Sequence, residues 1–484
     1  MAERSRRTVR DLRRGNRARV LQRLYFDGPL SRQELGPATG LSSGSISNVV
    51  AELAAEGLLE EAGIVDSDGG RPRTLLRVAA DGGLFVGIDI GETRVRVELF
   101  DLALTELART DRLLAQHGYD VERIVSHVRT GVSDVLRDAG ADPARLLGIG
   151  IGVPGIIERD GRGATGEPGA VVHGQTIGWS AVPFERMLRD AVDVPPEVPF
   201  FIDNGAKTLG QAEMWFGGGR GAGSAAVALI GSGVGASVNR GDILDEDLSD
   251  SALEWGHTTV QLRGRRCRCG SIGCLEAYAG AEAMRERWHE AGGPLPPDAD
   301  DETALAALLA AAYPGPEGPP PDPVAVAILD ETAACLGAAL ADLVNLFLPE
   351  RILLGGWAGL LIGPHLLPEI RRYAQEYALR HAIARTTIAM GHLGPDAVTV
   401  GAATLPLSDF LARGGTRPAP AARPAAAPAP TAHPHRPAAP RRAEGCAAPP
   451  PSARHPARGL RGCVPGRGWQ GGGHAVARPA YARA

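Results

Sequence analysis

Hydrophobic spacing divides the chain into three stretches. From Arg14 to Phe26, the apolar positions Val20, Leu21 and Leu24 recur at helical intervals. Leu30 leads into Ser31-Arg-Gln-Glu34, a capping box that opens a second helix, and Gly40 closes it. Ser42 starts a third helix with Ile46, Val49, Val50 and Leu53 on its inner face. Leu58 and Leu59 open a strand. Its partner, Thr74 to Val78, follows the basic turn Gly69-Gly70-Arg71-Pro72-Arg73. From Leu84 the pattern changes to buried strands that run into glycine turns. Leu84 to Ile90 ends at Gly91, and Val95, Val97 and Leu99 alternate as the next strand. The same strand-to-glycine form recurs at Leu147 to Val153 before Pro154-Gly155, at Leu229-Ile230 before Gly231-Ser232-Gly233, and at Ile352 to Leu354 before Gly355-Gly356. Interleaved with apolar helices such as Glu331 to Phe347, these strands predict an α/β fold. From 413 onward the pattern stops, leaving Pro, Ala, Arg and Gly with one acidic residue, Glu444. Such a composition buries no core. The expected organisation is an N-terminal domain over 1–80, an α/β domain over 84–410 and a disordered tail over 413–484.

The turn Thr39-Gly40-Leu41-Ser42 has the length that a helix-turn-helix needs. The outer face of the third helix offers Ser43, Ser45, Ser47 and Asn48, whose hydroxyls and amide suit base edges or phosphates in a major groove. Arg71 and Arg73 suit an adjacent minor groove. Together these features predict a winged helix-turn-helix that binds DNA; the alternative is a small three-helix protein-interaction module.

Composition narrows the classes. A chain of 484 residues exceeds one core, and 44% hydrophobic residues suffice for a folded interior. The Ile352 to Ile362 segment is short and glycine-broken, so no membrane span is expected, and the arginine-rich N-terminus lacks the apolar stretch of a signal peptide. Six cysteines, three of them clustered, do not make a disulfide framework, and a reducing cytoplasm fits them best. Net charge is −5, yet residues 1–23 carry nine Arg against Glu3 and Asp11. That basic arm reads either as a solvated helix face or as a phosphate contact.

Candidate chemistry concentrates between Glu254 and Glu276. His257, Cys267, Cys269 and Cys274 fall within 18 positions. Three thiols and an imidazole are a common structural zinc set, which favours Zn²⁺ over iron. Gly270 and Gly273 allow the short segment to fold back around an ion. A closed loop would also fix Glu254 and Glu276 on either side of it; the alternative is three ordinary buried or disulfide-bonded cysteines. Elsewhere, Asp89, Gly91 and Thr93 around one turn suit phosphate and Mg²⁺. The glycine turns at Gly231, Gly233, Gly355 and Gly356 suit a nucleotide phosphate as well.

These motifs resemble the ROK family (repressor, open reading frame, kinase) over residues 14 to 410. The likeness rests on D-x-G-x-T at Asp89, Gly91 and Thr93, G-V-P-G at Gly152 to Gly155, E-x-G-H at Glu254 to His257, and C-x-C-G-x-x-G-C-x-E at Cys267 to Glu276. It implies an actin-like ATPase (ribonuclease H-like) fold of two α/β lobes around a cleft. It also implies zinc on His257 and the three cysteines, and a sugar pocket lined by Asn204, Glu254, His257 and Glu276. The Gly174 to Trp179 loop is expected to add to that pocket. Some members are sugar kinases and others are repressors with a winged helix-turn-helix in front. This chain resembles the second kind, which implies operator DNA and a sugar or sugar-phosphate effector as partners. A helix-turn-helix commonly works as a dimer on a two-fold operator, so a homodimer or higher homo-oligomer is expected.

One departure from the family bears on catalysis. The kinases carry a general-base Asp in a segment E-N-D-x-N. Here the segment reads Asp203-Asn204-Gly205-Ala-Lys207, and alignment on Glu213 places Gly205 where the base belongs. Loss of a general base typically costs about 10² to 10⁴ in rate. The reading is therefore a regulator without kinase activity. The alternatives are an active ATP-dependent sugar kinase with a DNA-binding domain attached, in which a shifted alignment makes Asp203 the base, and a degenerate protein-interaction scaffold.

Overall fold

The structure, a computed structural model, describes residues 8–66, 72–114, 118–159, 169–241, 249–296, 299–316 and 318–417. Arg71 and residues 418–484 of the expected tail lie outside the described residues. All described residues fall within one compact unit, Met1–Ala422.

The chain opens with helix α1 (Val9–Asp27). It begins ahead of the apolar spacing because Thr8 and Asp11 cap each other's backbone N–H. Strand β1 (Leu30–Ser31), helix α2 (Arg32–Thr39) and helix α3 (Ser43–Ala55) follow. Ser31 and Glu34 form the expected capping box, and Gly40 ends α2 in the left-handed region at φ +69. Strands β2 (Leu59–Val65) and β3 (Arg73–Val78) complete an antiparallel sheet in the order β1-β3-β2. The basic face of α1 is largely ion-paired. Arg13 pairs with Glu52 and Arg14 with Asp11, while buried Arg17 pairs with Glu56 at 2.5 Å and donates to the Gly414 carbonyl at 2.8 Å.

The first lobe holds β4 (Leu84–Ile90), β5 (Arg94–Asp101), β6 (Glu106–Leu113), α4 (Val121–Asp138) and β7 (Leu146–Val153). A small sheet of β8 (Ile156–Glu158), β9 (Val171–Gly174) and β10 (Trp179–Val182) extends it. Helix α5 (Phe184–Ala191) and β11 (Phe200–Asn204) close it, giving the main sheet order β11-β7-β4-β5-β6. Helix α6 (Gly205–Phe216) crosses to the second lobe.

That lobe has β12 (Ser224–Ile230), β13 (Val234–Arg240) and β14 (Ser249–Leu253), then α7 (Glu276–Ala279), α8 (Ala281–Glu290) and α9 (Asp301–Ala312). The long helix α10 (Pro323–Phe347), β15 (Arg351–Gly355), α11 (Trp357–Tyr377), α12 (Arg380–Ile383) and β16 (Thr387–Met390) follow. The sheet order is β14-β13-β12-β15-β16. Helix α10 is long and apolar enough to cross a bilayer, but it buries Leu329, Leu336, Leu340 and Leu343 in the lobe core. Helix α13 (Ala397–Ala412) returns to the first lobe. It lies close to both neighbours: a Cβ on Gly401 would meet the Thr208 carbonyl of α6 at 1.9 Å, and one on Gly150 would meet the Ala402 carbonyl at 1.7 Å. Only glycine allows such approach.

The N-terminal head does not hang on a linker. Leu21, Leu24 and Leu58 share a core with Phe100, Leu147, Trp215, Leu407 and Phe410 of the lobes and α13. A backbone hydrogen bond crosses the expected boundary, from Leu102 N to Ala80 O at 2.9 Å, and Ala79 N ties the end of the head to Leu58 O at 2.9 Å. The described chain also runs past 413: Arg417 donates to the Gly82 carbonyl at 3.3 Å, and a Cβ on Gly415 would meet Leu58 Cδ1 at 2.6 Å.

Candidate functional site

Between β14 and α7 the chain folds into a compact loop. Two isolated bridges, Thr259 to Cys274 and Arg266 to Ile272, bring its arms together. Gly270 and Gly273 take positive φ, and a Cβ on Gly273 would meet the Gln261 carbonyl at 1.9 Å, so glycine is required there. The fold gathers His257, Cys267, Cys269 and Cys274 so that their ligand atoms lie within 4.8 Å of one another. Cys267 Sγ is 3.7 Å from His257 Nδ1, and Cys269 Sγ is 3.8 Å from Cys274 Sγ. A tetrahedron with zinc–sulfur bonds of about 2.3 Å has edges of about 3.8 Å, so the donor set fits zinc. Burial pushes the Cys267 and Cys274 thiols up from their ordinary values, and a dication would supply the charge that reverses this.

A cavity of about 930 Å³ opens beside this loop, between the lobes, within the range of ligand pockets. Asn204, Glu254, His257 and Glu276 all line it. His257 turns Nδ1 to the thiols, while Nε2 lies 3.9 Å from the Glu254 carboxylate. One imidazole therefore faces both the cysteine cluster and the cavity. Burial raises the Glu254 pKa above the usual carboxylate range. Glu276 opens α7, and its Oε2 accepts from Val234 N at 3.0 Å. Asn204 ends β11 and caps α6: its Oδ1 accepts from Ala206 N at 2.8 Å, and its Nδ2 donates to the Gly155 carbonyl at 2.8 Å. Gly155 takes φ +102 against the His173 carbonyl, which explains the G-V-P-G turn. Gln175, Thr176, Gly178 and Trp179 also line the cavity, as expected of their loop.

Gly205 begins α6 in the cavity wall. Asp203 does not line the cavity. Its carboxylate is held at 2.9 Å by Lys207 and at 3.2 Å by Arg159, and it accepts from Asn204 N. The nucleotide-like turns meet in the same cavity: Asp89, Gly91, Thr93, Gly231, Gly233 and Gly356 line it. Gly355 sits behind them, where a Cβ would meet Leu209 at 3.2 Å. Burial pushes Asp89 up to about 7. The Ser232 hydroxyl of the Gly231 turn is buried with no hydrogen-bond partner among the described residues. The Trp357 indole, at the start of α11, reaches this turn: a Cβ on Gly231 would lie 3.3 Å from its Nε1.

Sequence reasoning missed the charges that bridge the cleft. Arg268, between the first two cysteines, meets Glu92 of the β4–β5 turn with both terminal nitrogens, one contact at 2.6 Å. It also reaches Glu276 at 2.9 Å and Glu282 at 3.0 Å. Burial opposes its charge, but Glu92 and Glu276 outweigh that and keep the guanidinium protonated. Arg94 pairs with Glu302 at 2.7 Å, and Gln175 Nε2 donates to the Cys269 carbonyl at 2.7 Å. The available signal was a charged residue inside each of two glycine turns, which names candidates but not partners.

On the head, Ser43, Ser47 and Asn48 are exposed on α3. Ser45 is half-buried and shares a hydrogen bond with the Ser42 hydroxyl at 3.0 Å. Arg73 is half-buried at the start of β3.

Comparison with known proteins gives a consistent set. The profile described as ROK family matches residues 85–408. The xylose repressor of Caldicellulosiruptor bescii is 29% identical over 416 residues, spanning 83% of this chain and 97% of the repressor. A glucokinase of Halalkalibacterium halodurans is 30% identical over 326 residues, 66% of this chain and 93% of that enzyme. A solved ROK family transcriptional regulator, a homolog of the E. coli MLC protein, superposes with TM-score 0.63 at 24% identity, covering 84% of this chain and 98% of that one. The two-lobed fold is the actin-like fold of these proteins.

Proposed function

The chain belongs to the ROK family, and from that premise we propose that it is a sugar-responsive transcriptional repressor. The observation that carries this reading is the head itself: a three-helix and hairpin unit, packed on the lobes, that exposes Ser43, Ser47 and Asn48 of α3. That arrangement supports a winged helix-turn-helix that presents α3 to operator DNA. The similarity to the xylose repressor, which spans 83% of this chain and 97% of that protein, supports the same reading. The effector is a sugar held by Asn204, Glu254, His257 and Glu276, zinc holds the His257 loop, and the working form is a cytoplasmic homodimer or higher homo-oligomer. Gly205 leaves no carboxylate to take a proton from the sugar, so the sugar is bound and not phosphorylated.

The competing reading is a sugar kinase with a DNA-binding head. Its support is the retention of Asp89, Thr93 and the Gly231 turn in one cavity, together with the glucokinase relative. On either reading, ATP and Mg²⁺ would use those turns.

A mobility-shift titration with DNA upstream of the chain's own gene tests the reading. Affinity is expected to fall steeply with salt, to respond to a free sugar, and to lose preference for that DNA over random sequence in Asn48→Ala. Equal affinity of parent and variant for both DNAs would remove α3 as the recognition helix.

A further inference from the structure

One helix joins the cavity to the head. Asn204, Gly205 and Ala206, at the start of α6, form part of the cavity wall. The 12 residues of α6 span about 18 Å. At its far end Trp215 and Phe216 meet Tyr25 and Phe26, the last turn of α1. The Phe26 ring lies 5.0 Å from Trp215 and 6.4 Å from Phe216, and Tyr25 lies 6.5 Å from Phe216. Arg220, just beyond α6, donates to the Phe26 carbonyl at 2.6 Å. Along its length the helix is clasped: a Cβ on Gly210 would meet Ser237 Oγ of β13 at 2.0 Å, and Gly401 of α13 closes on Thr208 from another side. A helix packed this closely shifts as a unit.

The aromatic contact is not fully satisfied. The Tyr25 hydroxyl and the Trp215 indole N–H are both buried with no hydrogen-bond partner among the described residues. Such donors penalise the arrangement that buries them. A second docking of the head that frees them therefore lies closer in energy than a fully bonded interface would allow. Switching elements have this character, because interfaces change between discrete arrangements.

We propose that α6 carries the effector state of the cavity to the DNA-binding head, with the contact of Trp215 and Phe216 on Phe26 as the coupling. This rests on the regulator reading above. An effector that hydrogen-bonds Asn204 acts on the cap of α6. A shift of α6 displaces Phe26 at the end of α1, and α1 shares its core residues Val20, Leu21 and Leu24 with Ile46, Val49 and Leu53 of α3. The coupling is reciprocal: DNA changes sugar affinity by the factor by which sugar changes DNA affinity.

The test uses the full chain. DNA affinity is measured with and without D-xylose, D-glucose and N-acetylglucosamine, and sugar affinity is measured by calorimetry. In the parent chain an active sugar is expected to change DNA affinity about tenfold. Phe216→Ala is expected to keep sugar affinity and sugar-free DNA affinity within about threefold while bringing the sugar effect below about twofold. Where Phe216→Ala fails to fold, Trp215→Phe serves: it keeps a ring, deletes the unpaired N–H, favours the docked arrangement and lowers the same ratio. An unchanged ratio in the folded variant overturns the coupling and leaves the regulator reading standing. No effect of any of the three sugars on the parent chain overturns both.

Discussion

Replacing Gly205 with aspartate places a carboxyl on the first turn of α6, facing the cavity. The structure gives it room. The one atom within 4 Å of a Cβ built there is Val398 Cγ1, at 3.9 Å, an ordinary van der Waals distance. Gly205 is not among the glycines with positive φ, so the backbone accepts a side chain. A carboxylate at a helix N-terminus contributes about 0.3–1 kcal/mol, and loss of glycine from a helix contributes up to about 1 kcal/mol more. Repulsion from Asp203 opposes both, reduced by the Lys207 ammonium 2.9 Å from that carboxylate. Gly205→Asp is therefore expected to shift stability by less than about 2 kcal/mol, and a larger loss would show that position 205 is not the open site described.

On the repressor reading, the magnitude for activity comes from a base absent at 205. A general base contributes about 10² to 10⁴ in rate, or roughly 3–5 kcal/mol of barrier. The parent chain is expected to consume no ATP above background with D-xylose or D-glucose in a coupled assay, while Gly205→Asp gains slow sugar-dependent turnover if the cavity still accepts ATP. Robust sugar-dependent ATP consumption by the parent chain, abolished by Asp203→Asn, would refute the reasoning. It would mean that Asp203 leaves its pairs with Lys207 and Arg159 and acts as the base.

Two further outcomes follow from the same geometry. The purified chain is expected to hold one zinc per subunit, and Cys269→Ser to lose it and weaken sugar binding, because the loop positions His257 and, through Arg268, Glu276; less than half an equivalent by metal analysis of the parent chain counts against this. Asp89, raised by burial from 3.8 to about 7, binds a proton more readily folded than unfolded, so its contribution to stability falls as pH rises through that window. Asp89→Asn is expected to raise the melting temperature relative to the parent at pH 8, with the gain shrinking toward pH 4; an equal gain at both pH values removes desolvation as the cause.

Features set by neighbours in sequence were legible before the structure. The Ser31–Glu34 capping box, the Gly40 helix stop and the clustering of His257 with three cysteines depend on short-range spacing, and each is present. The placement of Asp203 was legible in part. Along β11, adjacent residues face opposite sides, so Asn204 in the cavity wall turns Asp203 away toward Lys207 and Arg159. The charges across the cleft were not legible, because Glu92 and Arg268 belong to different lobes and nothing in either local sequence names the other. The same holds for Phe26 and Trp215. Each reads as an ordinary apolar residue until the fold brings the end of α1 against the end of α6. The start of α1 was misplaced for a smaller reason: Thr8 and Asp11 cap a turn whose exposed Val9 and Leu12 give no inward stripe.

Position 205 is also where the two functional demands on this domain meet. It is where the family resemblance expects the base, and it is the first residue of the helix that runs to the head. The cap of that helix belongs to Asn204, whose Oδ1 and Nδ2 hold Ala206 and Gly155 without help from residue 205. A carboxyl can therefore be absent at 205 without fraying α6. An effector site needs occupancy, and turnover would convert the bound signal into product. On the repressor reading, retaining Asn204, Glu254 and Glu276 while leaving 205 without a side chain would keep binding and remove the proton acceptor. On the repressor reading, the loss of chemistry and the integrity of the coupling helix follow from one division of labour: the asparagine builds the helix, and the glycine after it leaves the sugar unreacted.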